Sequence, residues 1–323
     1  MPLVDLPLEE LRTYQGRTPR PEDFDDFWAE ALDELAQARA GESVVVERVE
    51  HPAAYAACAH LWFTGVRGAR VHAKYLRPAD DDGPHPGVVV FHGYSGASPD
   101  WFSLLPYVGQ GFSVLALDCR GQGGLSQDAG GPWGNSLSGH IVRGLDVGAR
   151  ELAYRQLFLD TVHAAQLLME RPEVDASRVG ATGFSQGGGL TIACAALEPR
   201  VRAAAPVYPF LSDYQRVWEM DLATDAYEEL RAYLRRHDPT HEDVTAMWRT
   251  LGYVDVQHLA PRIEADVLML TGLMDTVCPP STQFAAYNRI SSRKEMVLYP
   301  DFEHEPLPGA DDRILAFLTD RLR

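Results

Sequence analysis

Short apolar runs alternate with segments of helical periodicity along most of this 323-residue chain. An apolar run bounded by turn residues is typical of a strand buried on both faces, whereas apolar residues three and four positions apart indicate an amphipathic helix. Strands that alternate with helices predict a mostly parallel sheet with helices on both sides. The predicted strands are 88–91, 113–117, 178–182, 201–207, 266–271 and 295–299, and the predicted helices are 152–170, 186–197, 280–290 and 311–322.

Two regions depart from this alternation. A helix with prolines at its start is predicted over 19–38, and 212–262 is rich in helical segments. We therefore predict one α/β domain over 1–323, with an N-terminal helical extension over 1–40 and a helical insert over 212–262. Before the first apolar run, β-rich segments predict an antiparallel start to the sheet: 44–49, 59–64 and 70–76.

Charge and cysteine usage exclude several classes of function. A formal net charge of −17 argues against nucleic acid or membrane partners, which need basic surface. No apolar run reaches membrane-spanning length, and the N-terminal segment lacks the pattern of a signal peptide. We therefore expect a soluble, cytoplasmic protein. The cysteines are far apart and predict buried free thiols rather than disulfides or a metal site: Cys58, Cys119, Cys194 and Cys278.

A serine lies in the glycine-rich motif 183–187, Gly-Phe-Ser-Gln-Gly, between a predicted strand and a predicted helix. In this context Gly-x-Ser-x-Gly is the pattern of a nucleophile elbow, a sharp turn that exposes a serine hydroxyl above a sheet. Asp275 and His304 follow the last two predicted strands. Because the carboxyl ends of parallel strands meet at one edge of the sheet, we expect Ser185, Asp275 and His304 to converge. Their chain order is that of an α/β-hydrolase triad.

Each of these residue types has a chemical role to fill. A serine hydroxyl is a weak nucleophile near neutral pH, so His304 is expected to accept its proton and return it to the leaving group. Asp275 would hold that imidazole in the required tautomer, and Asp301 is the alternative acid. His258 and His241 lie in the helix-rich insert, where we expect solvated or capping histidines.

The oxyanion hole of such a site needs two backbone N–H groups. Gln186 follows the nucleophile, and Tyr94 lies two residues after His92 in the loop behind the first parallel strand, so we expect these two to donate. His92 itself is expected to pack on the wall of the site. Arg120 and Gln122 are expected to brace the site through hydrogen bonds, because a guanidinium cannot surrender its proton.

Two further motifs do not predict the chemistry that their letters suggest. The stretch 304–308, His-Glu-Pro-Leu-Pro, lacks a second histidine, and its prolines forbid the helix of a zinc protease. The glycines of 121–124 are not followed by Gly-Lys-Ser/Thr, so no phosphate loop is indicated. We expect neither a metal nor a cofactor.

The motifs 120–122 (Arg-Gly-Gln), 183–187 and 304–305 (His-Glu) together resemble the three signature motifs of carbohydrate esterase family seven. That family comprises the acetyl xylan esterases and the cephalosporin C deacetylases. The similarity covers nearly the whole chain and includes 139–144 and 272–282. It implies the α/β-hydrolase fold and the same site residues: Ser185, Asp275 and His304 as the triad, with Tyr94 and Gln186 as oxyanion donors.

The resemblance also implies an activity and an assembly. The activity is metal-free hydrolysis of short acyl esters, chiefly acetate, from sugars such as xylo-oligosaccharides and from the cephalosporin nucleus. The assembly is a homo-oligomer, a doughnut-like hexamer or a smaller one, with active sites facing an inner cavity. A thioesterase or peptidase of the same fold, and a non-catalytic hydrolase-fold binding protein, stay open as alternatives.

The chain departs from the family pattern at two places. Pro306-Leu307-Pro308 stands where family members commonly have glycines, and it would stiffen the loop behind the histidine. The segment 206–211 lacks the acidic residue that the family usually carries at or beside Val207. Both departures leave the triad intact and leave the native substrate open.

Overall fold

The computed structural model describes residues 4–80, 83–129 and 134–323, so the first three residues of the predicted N-terminal extension lie outside it. Within these ranges the strands form one nine-stranded sheet in the order β1-β2-β3-β5-β4-β6-β7-β8-β9. The strands are β1 (Val45–Val49), β2 (Ala56–Gly65), β3 (Ala69–Pro78), β4 (His85–Phe91), β5 (Ser113–Leu117), β6 (Val174–Phe184), β7 (Val201–Val207), β8 (Asp266–Gly272) and β9 (Lys294–Tyr299).

The sheet changes direction once, as the sequence predicts. Strands β1, β2 and β3 pair antiparallel, and β3 pairs antiparallel with β5, whereas all pairings from β5 through β4 to β9 are parallel. Strand β4 lies in the middle, and its apolar run 88–91 is buried on both faces. The α/β fold with a mostly parallel sheet is confirmed.

Helices cover both faces of the sheet. They are α1 (Leu8–Leu11), α2 (Phe24–Arg39), α3 (Trp101–Gly109), α4 (Ala153–Met169), α5 (Gln186–Leu197), α6 (Tyr214–Glu219), α7 (Glu228–His237), α8 (Val244–Gly252), α9 (Val256–Leu259), α10 (Pro280–Arg289) and α11 (Ala310–Leu322). Among the described residues, no helix is both long and apolar enough to cross a membrane.

Two of these helices differ from the sequence-based expectation. Helix α2 begins at Phe24 rather than at Pro19, because Pro21 disfavours the helical conformation of Arg20, the residue before it. Helix α3 was not predicted at all. It carries Pro106 in its interior, a residue that disfavours helix and obscures the periodic pattern.

Alternate residues of β4 face two separate apolar cores. Val89 and Phe91 belong to the core under α2, α4 and α5, which also holds Trp28. Val88 and Val90 belong to the core under α3 and α11. This is the two-residue period of a strand covered on both faces, and it fixes the register of β4 against both helix layers. All four cysteines are buried and free, as predicted.

The insert between β7 and β8 carries α6 to α9 and contacts the N-terminal extension. Trp28 of α2 donates its indole N–H to the Tyr253 carbonyl at 3.0 Å. The buried carboxylate of Asp213 accepts the backbone N–H groups of Arg17 and Thr18, each at 2.8 Å. The extension is thereby fastened to the insert. The organisation as a single domain stays a prediction.

Candidate active site

The serine of the glycine-rich motif occupies the turn between β6 and α5. Ser185 has φ 58° and ψ −118°, a conformation that non-glycine residues rarely adopt. Neighbouring backbone holds it there: Ser185 donates its N–H to the Val207 carbonyl at 3.0 Å, and its own carbonyl accepts the N–H of Phe210 at 3.0 Å. The strain expected of a nucleophile elbow is therefore present and supported from β7.

The glycines around the serine are required by close backbone contacts. A Cβ at Gly187 would lie 2.2 Å from the Phe91 carbonyl oxygen, and a Cβ at Gly183 would lie 2.6 Å from the same atom. At Gly188 and Gly189 the nearest backbone oxygens would be 2.6 Å and 2.4 Å away. Any side chain at these positions would push α5 away from the ends of the strands.

The three predicted triad residues meet at the ends of β6, β8 and β9. His304 Nε2 lies 2.9 Å from Ser185 Oγ, and His304 Nδ1 lies 2.8 Å from Asp275 Oδ2. Asp301, the alternative acid, is exposed, so the carboxylate that meets the imidazole is that of Asp275. The serine hydroxyl is thus aligned with a proton acceptor.

The Asp275 carboxylate orients the imidazole ring. Asp275 is fully buried, and its other oxygen accepts the N–H groups of Val277 at 2.9 Å and Cys278 at 2.7 Å. The hydrogen bond to Asp275 Oδ2 favours the tautomer with the proton on His304 Nδ1, which leaves Nε2 free to accept from the serine. Tyr208 packs on the imidazole with ring centroids 4.6 Å apart.

The backbone amides of the two predicted oxyanion donors are available for a ligand. Among the described residues, neither the Tyr94 N–H nor the Gln186 N–H has a hydrogen-bond acceptor. His92 anchors the Tyr94 loop: its Nε2 accepts the Cys119 N–H at 2.9 Å, and its Nδ1 donates to the Gly93 carbonyl at 2.7 Å. Burial lowers the pKa of His92, which suits a neutral ring that accepts at Nε2.

The side chain of Gln186 has a role that sequence reasoning missed. Its Oε1 accepts from the Gln122 amide at 2.8 Å and from the Tyr154 hydroxyl at 2.7 Å. Gln122 in turn accepts the Ser95 N–H at 2.9 Å. The two glutamines therefore tie the elbow to the oxyanion loop, and Gln122 occupies the bracing position that the sequence predicts.

Arg120 braces the site from further away. Its guanidinium makes two parallel hydrogen bonds of 2.6 Å to Asp160 of α4, and it donates to the Val66 carbonyl at 3.2 Å. Both charged partners are buried, and a paired geometry of this kind compensates for their lost hydration. Arg120 fixes the loop after β5 and makes no contact with the triad.

Two histidines of the insert, His258 and His241, behave differently from each other. The expectation of a solvated or capping histidine is wrong for His258, which is buried and lies 3.1 Å from the Thr18 carbonyl through Nε2. Burial lowers the pKa of His258 to about 3. His241 is exposed and rests edge-on against Trp218. Neither reaches the serine.

One group of side chains could in principle hold a metal ion. Within the described ranges, Asp275, Cys278 and His304 bring potential ligand atoms within 4.8 Å of one another. The carboxylate and the imidazole are already paired. Burial raises the pKa of the Cys278 thiol well above its usual value and disfavours the thiolate that a metal requires. The donor set suits proton transfer better than metal binding.

The two departures from the family pattern surround the histidine and the elbow. Leu307, between the two prolines, is buried, and the Pro308 carbonyl accepts the Tyr299 hydroxyl at 3.0 Å. Val207 is buried at the end of β7, where its carbonyl supports Ser185. Backbone at this position thus serves the elbow.

The sharp turn from β6 into α5, at the carboxyl end of a strand in a mostly parallel sheet, makes this chain an α/β hydrolase. The family can be stated more narrowly, because the family model for acetyl xylan esterase (AXE1) matches residues 1–321. The chain belongs to the acetyl xylan esterase family. The resemblance to carbohydrate esterase family seven is confirmed, and with it the assignment to a family of carboxylic ester hydrolases.

Two solved structures are similar over nearly their whole length. Acetyl xylan esterase 1 from Thermoanaerobacterium sp. JW/SL YS485 is 52% identical, with a TM-score of 0.95, over 99% of this chain and 100% of that one. Acetyl xylan esterase from Paenibacillus sp. R4 is 36% identical, with a TM-score of 0.92, over 98% and 100%.

A curated relative is similar but longer. Acetyl esterase Axe7A from Xylanibacter ruminicola is 28% identical over 307 residues, which are 92% of this chain. The present chain spans 65% of the length of that relative.

Proposed function

We propose that this chain is a serine esterase that removes acetyl groups from acetylated sugars, xylo-oligosaccharides above all. The observation that carries the proposal is the continuous chain of hydrogen bonds from Ser185 through His304 to Asp275. The acyl group and the sugar are suggested by the similar proteins, which are acetyl xylan esterases and an acetyl esterase.

In the first half of the proposed reaction, Ser185 Oγ attacks the acetyl carbonyl carbon while His304 Nε2 takes the hydroxyl proton. The carbonyl electron pair moves onto oxygen, and the N–H groups of Tyr94 and Gln186 stabilise that charge. Asp275 stabilises the imidazolium without taking the proton.

The second half returns the enzyme to its starting state. The bond between the sugar oxygen and the acyl carbon breaks while His304 protonates that oxygen, and acetyl-Ser185 remains. A water molecule then gives a proton to His304 Nε2 and attacks the acyl carbon, and the imidazolium finally protonates Ser185 as acetate leaves. Cephalosporin C is a second proposed substrate, since this mechanism acts on the acetyl group and not on the alcohol.

The proposed assembly is a homo-oligomer, as large as a hexamer, in the cytoplasm and without nucleic acid or membrane partners. The family resemblance supports the oligomer, and so does the edge strand β1, whose Val45 and Val46 are 51% and 43% exposed. The net charge of −17 argues against nucleic acid and membrane partners. Light scattering of the purified chain measures the mass directly, and a monomer at working concentration would contradict the proposal.

The proposed chemistry is tested with a panel of esters. Acetylated xylose, acetylated xylobiose, cephalosporin C and p-nitrophenyl acetate should all release acetate, while butyrate esters, acyl thioesters and dipeptide anilides should be poor substrates. If a thioester or an anilide were turned over faster than the acetate esters, the chain would be a thioesterase or a peptidase instead.

The serine itself is tested by substitution. Ser185→Ala should lower kcat for p-nitrophenyl acetate by a factor of about 10⁴ or more and abolish fluorophosphonate labelling, because the nucleophile is gone. Ser177→Ala, at an exposed serine on the far part of β6, should leave both unchanged. A wild-type chain that neither labels nor turns over would identify a non-catalytic binding protein.

A further inference from the structure

A carboxylate from the helical insert reaches the loop that carries the Tyr94 amide. Glu229, in the first turn of α7, accepts the Tyr94 hydroxyl at Oε1. Its Oε2 accepts the backbone N–H of Ile141 at 2.7 Å and of Val142 at 3.0 Å. One side chain thus collects three donors from two segments that are far apart in the sequence.

The setting of this carboxylate shows that the contact is specific. Burial raises the pKa of Glu229, and the Tyr94 hydroxyl and the two N–H groups counteract that rise. A carboxylate withdrawn from water is unfavourable unless such donors compensate it. Glu228, the preceding residue, is exposed, so the same turn of α7 offers a carboxylate without this environment.

The ring of Tyr94 connects the insert to the nucleophile. It packs edge-on against Phe210, with centroids 5.7 Å apart, and Phe210 donates its N–H to the Ser185 carbonyl at 3.0 Å. Phe210 in turn packs against Tyr227, the residue before α7, at 4.2 Å. The hydroxyl of Tyr94 is therefore held by Glu229 of the insert, and its ring is held by Phe210, which supports the elbow.

Resting on the proposed esterase function, we propose that Glu229 is a positioning residue for the oxyanion hole. It holds the Tyr94 side chain, and through it the Tyr94 backbone N–H, in the direction of the developing oxyanion. Because an oxyanion donor acts mainly in the transition state, losing this restraint lowers kcat far more than it raises KM.

The test is a double-mutant cycle of Glu229→Gln and Tyr94→Phe, measured on p-nitrophenyl acetate. Both substitutions keep the shape of the side chain and the Tyr94 N–H, and both disturb the same hydrogen bond. We expect each single variant to lower kcat by about 10-fold to 100-fold with KM changed less than about 3-fold, since one such donor is worth about 10² to 10³ in kcat. The double variant should be no worse than the more damaged single variant, because the two act through one contact.

Glu228→Gln is the matched control and should behave as wild type. Active sites are counted by fluorophosphonate labelling to completion, so that a loss of folded protein is not read as a loss of kcat. If Glu229→Gln folds poorly, Tyr94→Phe carries the test from the other side of the hydrogen bond.

Full kcat in either single variant, or a double variant whose loss equals the product of the single losses, would overturn the inference. A wild-type chain that does not hydrolyse the ester at all would instead overturn the proposed function, so the two failures are distinguishable.

Discussion

Within the part of the chain that the structure describes, two aspartates that follow strands each pair with a histidine, and only one of these pairs faces the serine hydroxyl. Asp275 follows β8 and meets His304 at 2.8 Å; Asp118 follows β5 and meets His72 at 2.7 Å. In both pairs Nδ1 lies within hydrogen-bond distance of a buried carboxylate that also accepts backbone N–H groups. The local chemistry of the two pairs is nearly the same.

The pairs differ on the other side of the ring. His304 is 20% exposed and presents Nε2 to Ser185 Oγ. His72 is fully buried, and its Nε2 lies 2.7 Å from His60 Nδ1, which donates to it. Accessibility and the group on the far nitrogen, rather than the pair itself, separate a candidate catalytic base from a structural contact.

The buried pair serves the loops around the site. Asp118 accepts the N–H of Ser98 at 2.7 Å and of Leu125 at 2.8 Å. Burial alone would raise the pKa of Asp118, but the hydrogen bonds from His72 and from these N–H groups outweigh it and hold that pKa well below its usual value. The carboxylate therefore stays charged and fastens the segments that precede α3 and follow β5.

The largest expected effect is on the accessible pair. Asp275→Asn should lower kcat for p-nitrophenyl acetate by about 10³-fold to 10⁴-fold, because an amide donor opposite Nδ1 favours the wrong tautomer of His304. Asp301→Asn, at the exposed acid near His304, is the control and should leave kcat unchanged. Steady-state kinetics measure both variants. A loss of kcat in Asp301→Asn but not in Asp275→Asn would show that Asp301, and not Asp275, is the acid of the triad.

The same substitution in the buried pair should act on stability. Asp118→Asn should lower the free energy of unfolding by about 2–4 kcal/mol, because buried donors lose a charged acceptor. Its effect on kcat should stay below about 10-fold, since no atom of the pair faces Ser185. Urea unfolding and kinetics on one preparation separate the two quantities. If Asp118→Asn lost as much kcat as Asp275→Asn at unchanged stability, the buried pair would also take part in catalysis, and the two pairs would not differ in role.

The buried imidazole of His258 gives the smallest expected effect, and the pH dependence of stability tests its burial. The unfolded chain protonates His258 near its ordinary pKa of 6.5, while the folded chain does so only near pH 3. Its neutral form therefore supports folding fully above pH 6.5, and this support is lost as the pH falls towards 3. Between pH 7 and pH 5 the loss is about 2 kcal/mol.

Substitution isolates this contribution from all other titrating groups. His258→Gln keeps a donor for the Thr18 carbonyl but cannot titrate, so its urea stability should depend less on pH over that interval, by about the same 2 kcal/mol. His241→Gln, at an exposed histidine of the insert, should keep the wild-type dependence. If the stability of His258→Gln depends on pH as strongly as that of the wild type, burial does not lower the pKa of His258.

The predictable part of the site lies where local sequence determines position. Ser185, Asp275 and His304 each follow a strand whose apolar run is visible in the sequence, and the parallel sheet brings strand ends together. That rule does not separate Asp275 from Asp301, which also follows a predicted strand; the preference for Asp275 rests on reading Asp301 as a turn-forming aspartate. Helix α5 and strand β7 begin and end where they were predicted.

The missed parts depend on contacts between distant segments. Nothing near Glu229 in the sequence indicates that its carboxylate meets Tyr94, 135 positions away. The burial of His258 requires that Thr18 of the N-terminal extension lies against the insert. The side-chain role of Gln186 likewise needs Gln122 and Tyr154 from other elements. Helical periodicity places such residues on a helix but gives no partner.

The crowding beneath α5 has a consequence for laboratory evolution of this enzyme. Gly187, Gly188 and Gly189 each face a backbone oxygen with no room for a methyl group, so randomised libraries gain almost no viable variants there. Positions on α7 such as Ala232 and Arg236 are exposed instead, and they line a cavity that Tyr94 also borders. Libraries aimed at this cavity should therefore diversify the insert and leave the glycine motif fixed.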